Sequence, residues 1–119
     1  MKSFSSLKKN TDFRAVYRKR RSKADKFFVM YVLENGLEMN RLGISVSKKV
    51  GNSVVRHRLA RLIREAYRLH EDRFNSGLDI VVVAREGANP QKDTDYKPLK
   101  CQDVERSLIN LGKAHKIVN

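Results

Sequence analysis

Between positions 48 and 68 the chain gathers Arg56, Arg58, Arg61, Arg64 and Arg68, joined by Lys48, Lys49, Asn52 and His57, with Glu65 the single acid. A guanidinium is planar, permanently charged and forked, so it grips phosphate oxygens in pairs and lays its flat face on nucleobases. These residues therefore offer binding chemistry for a polyanion, nucleic acid above all. No bond-breaking apparatus accompanies them. The sequence has no nucleophile elbow, no phosphate-binding glycine loop and no H-E-x-x-H motif. The acids of the first 68 residues, Asp12, Asp25, Glu34, Glu38 and Glu65, do not pair at helical spacing on an apolar wall. A hydrolytic protein needs a general base, a nucleophile or metal ligands beside its substrate, so no catalytic residue is assigned. A protein of this kind positions a substrate rather than transforming it.

The elements that must carry these residues follow from periodicity. At about 100° per residue, Val55, Leu59, Leu62, Ile63, Ala66 and Leu69 gather on one arc of a helix, and His57, Arg61, Arg64 and Arg68 line the other. Arg56 and Arg58 flank that ridge. A merely solvated face would mix Glu with Lys for i,i+4 pairs, and this one does not. Asn52 is the expected N-cap, and Asn75-Ser76-Gly77 is a stop signal, which ends the helix near Phe74. Lys48, Lys49 and the free N–H groups of the helix start then converge on one spot, a ready anion site.

Charge is distributed unevenly. The 119 residues carry a net charge of +13, and residues 1–68 hold all of it, with 18 bases and 5 acids, whereas residues 69–119 balance at 8 and 8. Such asymmetry makes a one-sided surface field. The longest apolar run, residues 27–33, is too short to cross a bilayer, and residues 1–10 lack the hydrophobic stretch of a signal peptide, so a cytoplasmic protein without a membrane partner is expected. The lone Cys101 excludes an intrachain disulfide, and His57, His70 and His115 offer no Cys/His spacing for zinc. No metal site is assigned.

Along the chain, Asn10 reads as the N-cap of a helix over residues 11–18, with Phe13, Val16 and Tyr17 on one face and Asp12 in the first turn. The basic run 18–23 reads as helix end and loop. Residues 27–33 read as a central strand apolar on both faces, followed by the hairpin-type turn signal Asn35-Gly36. Residues 42–47 make the next strand, with room for a short extra one at 37–41. Residues 79–85 form a strand with a continuous apolar centre, covered on both faces or beside a parallel neighbour. Residues 87–98 form a polar connection. In residues 100–114 Cys101, Val104, Leu108 and Leu111 fall at helical spacing, a near-neutral helix assigned to packing. One domain over residues 1–119, a mixed sheet of about four strands with three helices, is the simplest architecture, and the unit over residues 42–85 would by the general rule cross over right-handed.

Some residues remain open between two roles. Phe13, Tyr17 and Tyr31 are core by default, since aromatics at helical spacing usually are, or else a stacking platform for unpaired bases beside basic residues. His57 lies on the ridge, which tells against a core role, and lacks an orienting carboxylate at i±3 or i±4, which tells against a general base; a polar or stacking contact with RNA is favoured over an idle surface histidine.

With these residues laid out, the chain resembles the protein subunit of bacterial ribonuclease P. Lys49, Gly51, Asn52, Val54, Arg56, Arg58, Arg61, Arg64 and Glu65 match the family's arginine motif, preceded by a similar strand, Leu42-Gly43-Ile44-Ser45-Val46-Ser47. Leu7-Lys8-Lys9 and Asp12-Phe13 resemble the family's opening, Phe28-Val29-Met30-Tyr31 its first strand, and residues 79–85 its last. The resemblance implies an α/β (α+β) two-layer sandwich, similar to the second domain of ribosomal protein S5, with a left-handed βαβ crossover. It implies a ribonucleoprotein endonuclease in which a separate catalytic RNA with bound Mg²⁺ removes the 5′ leader of precursor tRNA. It also implies a protein that holds no cofactor of its own and needs no obligate protein partner. The arginine helix, with Lys48, Lys49, Asn52 and His57, would face the catalytic RNA, and Phe13, Tyr17 and Tyr31 would line a cleft for the leader. His57 stands where the family usually has Asn, and Ala60 where Lys is common. A structural ribosomal or ribosome-assembly protein is the alternative, and a protein that cuts RNA unaided is a third reading.

Overall fold

A computed structural model describes residues 3–89 and 98–119. Five strands form one mixed sheet: β1 (Phe4–Ser6), β2 (Ser22–Ala24), β3 (Phe28–Glu34), β4 (Asn40–Ser45) and β5 (Leu78–Ala84), in the spatial order β1-β4-β5-β3-β2. Three helices accompany it: α1 (Asn10–Arg18), α2 (Ser53–His70) and α3 (Cys101–Ala114). β1 and β4 are parallel, as are β4 and β5, while β3 runs antiparallel to both β5 and β2.

The apolar run predicted at residues 79–85 becomes the middle strand β5, with Ile80, Val81 and Val82 fully buried. Alternation across the register assigns the two faces. Phe28, Met30, Val32, Leu42, Ile80 and Val82 pack under α2 and α3 in the main core with Leu59, Ile63, Ala66, Val104 and Leu108. Leu7, Val16 and Val81 form a second cluster with Phe13, Tyr17, Tyr31, Leu33 and Val83, where α1 lies on the opposite face. Gly43 in β4 makes that approach possible, because a Cβ there would stand 2.8 Å from the Phe13 ring.

Several sequence expectations give way to tertiary structure. Asn35-Gly36 does not close a hairpin: β5 lies between β3 and β4, and the turn instead carries the chain across the end of the sheet, Asn35 N–H donating to Gly77 O at 2.9 Å. No separate strand covers residues 37–41, since Asn40 and Arg41 already belong to β4. β1 and β2 were not foreseen. Each is three residues long and polar on most positions, so neither shows a period of two, and the basic run read as a loop partly becomes β2, with Arg20 turning the chain at φ 55°.

Helix boundaries shift by similar local causes. Lys9, not Asn10, is the N-cap of α1, without a side-chain bond. Asn52 caps α2 as expected, its Oδ1 accepting from Val55 N at 3.0 Å. α2 ends at His70 rather than near Phe74, and the chain tightens into a 3-10 turn at Glu71–Arg73 before Phe74 pairs with Val118. Gly77, at φ 80°, supplies the left-handed step into β5. Of the expected polar connection, Glu86–Ala88 is a 3-10 turn, Ala88 and Asn89 are buried, and residues 90–97 lie outside the described residues. No helix among the described residues is long and apolar enough to cross a membrane.

Candidate nucleic-acid interface

The outward arc of α2 follows from its inward one. Leu59, Ile63, Ala66 and Tyr67 are buried, which turns His57, Arg61, Arg64 and Arg68 to solvent as the spacing predicts. Leu69 is the exception on the apolar side. It is 52% exposed, and Tyr67 fills the place expected for it because the helix rolls toward the β1 edge, where the Tyr67 ring meets Phe4 edge-on at 4.9 Å. Lys48 and Lys49 are exposed on the turn that precedes the helix, which is closed by Val50 N–H donating to Ser47 O at 3.1 Å.

The arginines are not equivalent. Arg61 and Arg64 are exposed, and neither they nor His57 makes a hydrogen bond or ion pair with the described residues. Arg68 is engaged by Glu65 within the helix, at 3.1 Å from Nε and 2.5 Å from Nη2, and this bonding holds the Glu65 carboxyl below its ordinary value. Arg58 leans to α3, where its Nη2 donates to Leu99 O at 2.5 Å. Arg56 lies half-buried on the other flank, with its Nε buried and unbonded. No carboxylate of the C-terminal half opposes the ridge among the described residues. The nearest case is His70, beyond the ridge, at 2.6 Å from Glu105.

A groove of about 830 Å³ runs where α2 meets the start of α3, with Val54, Arg58, Arg61, Leu62, Arg64 and Cys101 among its lining residues. Cys101 was expected to pack, and it is only half-buried at the groove edge. Burial, and then the charge of Glu105, push its thiol up from its ordinary value, so it stays protonated and weakly nucleophilic.

On the other face of the sheet, Phe13, Tyr17 and Tyr31 come together, all half-buried. The Tyr17 and Tyr31 rings meet edge-on at 4.9 Å, and Phe13 lies 6.3 Å from Tyr17. The Tyr17 hydroxyl bonds to Ser45, while burial pushes its pKa up. Val29, Val83 and Ser45 continue as a half-buried row across three strands beside these rings. Sequence reading missed Val83 and Ser45, because only the register of β4 and β5 brings them to the aromatics. Exposed Arg14, Arg18, Lys19, Arg20, Arg21 and Lys23 surround the end of α1 and β2. At the far end Arg41 is neutralised, its Nε and Nη2 donating to the buried Asp79 at 2.8 and 2.6 Å, with Asp12 at 3.5 Å.

A cationic helix on one face of a mixed sheet and aromatics set among basic residues on the other are the surfaces of a polyanion-binding domain of the α/β class. Among the described residues no group of three or more His, Cys, Asp or Glu could hold a metal ion. The two surfaces are mainly cationic and aromatic, and the one carboxylate of the ridge, Glu65, is taken by Arg68, so they do not fit Mg²⁺. A ribonuclease P family model matches residues 1–110, and the chain belongs to that family as a ribonuclease P protein subunit. The ribonuclease P protein component of Lachnoclostridium phytofermentans is 54% identical over 96% of this chain and 91% of its own. That of Alkaliphilus oremlandii is 44% identical over the whole chain and 97% of its own. The solved RNase P protein of Staphylococcus aureus superposes with a TM-score of 0.79 at 38% identity, covering 96% of this chain and 97% of that one. The Thermotoga maritima protein gives 0.79 at 29% identity, covering 92% and 96%.

Proposed function

We propose that the α2 ridge of Arg56, Arg58, Arg61, Arg64 and Arg68, with Lys48, Lys49, Asn52 and His57, lies against the catalytic RNA of ribonuclease P. On this reading Phe13, Tyr17 and Tyr31 receive the single-stranded 5′ leader of precursor tRNA in the cytoplasm. The observation that carries it is the outward, uncompensated projection of Arg61 and Arg64 from a helix whose inner face is fully engaged in the core. Cations so placed neutralise phosphates and release counterions. The aromatic rings present edges and hydroxyls beside a half-buried row of the sheet, which suits unstacked bases. The protein contributes position and charge, and the phosphodiester bond is broken by the RNA.

The test is cleavage of precursor tRNA by a bacterial ribonuclease P RNA at low Mg²⁺, with and without the protein. Stimulation is expected. No effect would favour the structural ribosomal reading, and cutting without added RNA catalyst would place the chemistry in the protein.

A further inference from the structure

The groove between α2 and α3 contains more than a phosphate surface needs. It is an open groove of about 830 Å³, wide enough for a flat heterocycle. Phosphates call for donors, yet Val54 stands 74% exposed within the cationic face, and Leu62 and Cys101 extend the apolar lining. Arg58 is tethered there. Its bond to Leu99 O fixes the guanidinium beside α3, where a freely hinged cation could instead follow the backbone of a passing strand. A fixed flat cation next to apolar groups is a stacking seat for an aromatic heterocycle. Arg61 and Arg64 at the rim are placed to take the adjoining phosphates, and Glu65 is already engaged by Arg68.

We propose that this groove seats one unstacked nucleobase of the catalytic RNA, stacked on Arg58 and covered by Val54, Leu62 and Cys101. The inference rests on the reading of the ridge as RNA-facing, and it adds to that reading a contact that salt does not screen.

The experiment measures binding of the cognate ribonuclease P RNA across a salt series, together with chemical probing of its unpaired nucleotides. Cys101→Trp fills the groove without touching a charge, and Val54→Ser removes apolar surface at an exposed position that bears no core contact. Cys101→Trp should weaken binding by about fivefold or more at every salt concentration, with the log-log slope unchanged. Val54→Ser should weaken it by a smaller factor in the same way. One nucleotide protected by the parent protein should become reactive with both variants. Affinity and protection equal to the parent's, or a loss confined to Cys101→Trp while Val54→Ser behaves as parent, would overturn the proposal. A reduced slope would also overturn it, since that marks a lost phosphate. Failure of the ridge reading itself would show separately, as an Arg64→Ala variant with an unaltered slope.

Discussion

The hydroxyl of Tyr67 accepts a 2.8 Å hydrogen bond from Nδ2 of Asn40, joining the underside of α2 to the first residue of β4. The same carboxamide donates to Asn75 O at 2.8 Å and accepts from Leu78 N at 2.8 Å, so one buried side chain ties together the arginine helix, the turn after it and the middle strand. Burial pushes the Tyr67 hydroxyl up to about 12, which keeps it neutral. The bond adds to the apolar contacts of Leu59, Ile63 and Ala66 that seat α2 on the sheet.

Tyr67→Phe leaves one Asn40 N–H buried without an acceptor. Its expected cost is about 1–2 kcal/mol of folding stability, read as a lower urea midpoint. Because no outward cation is touched, the salt dependence of RNA binding should match the parent's.

Arg64→Ala should lower the log-log salt slope of RNA binding by about one unit, the signature of one lost phosphate contact. Arg64 makes no hydrogen bond or ion pair with the described residues, so thermal unfolding should be unaffected. A parental slope would remove Arg64 from the phosphate contacts.

Tyr17→Ala should weaken binding of precursor tRNA by about 1–3 kcal/mol if a base stacks there, while mature tRNA binds as before. Both affinities are measured with the holoenzyme. Equal losses for the two would argue against leader recognition at this ring.

His115 is buried, its Nε2 at 2.7 Å from Met30 O, and burial lowers its pKa from 6.5, with Arg21 and Lys23 adding to the shift. A proton on Nε2 satisfies the carbonyl in either charge state and that bond opposes the shift, but burial outweighs it. The unfolded chain therefore takes up this proton more readily than the folded one, and stability falls as pH drops below about 6.5 toward the depressed folded value. Urea midpoints at pH 7 and pH 5.5 should differ less for His115→Gln, which keeps a donor and cannot titrate, than for the parent.

How far the sequence reached depends on the length of each periodic signal. β5 announces itself by an unbroken apolar run, and α2 by eighteen residues of consistent period with an Asn cap. β1 and β2 offer three residues each, too few for a pattern, and exist because a neighbouring strand supplies their partners. The turn at Asn35-Gly36 has hairpin chemistry, but long-range pairing through β5 overrides it. Within the site, the outward ridge was legible from spacing. The tethering of Arg58 by Leu99 was not, because it depends on where α3 begins, and Ser45 reaches Tyr17 only through the sheet register.

β5, sealed on both sides, works as a septum. α1 with its aromatics occupies one compartment and the guanidinium row the other, so the two surfaces do not overlap. Tyr17 and Arg64 lie on opposite faces of the sheet and share no bonding partner among the described residues. Free-energy losses from Tyr17→Ala and Arg64→Ala should accordingly sum to within about 0.5 kcal/mol in the double variant.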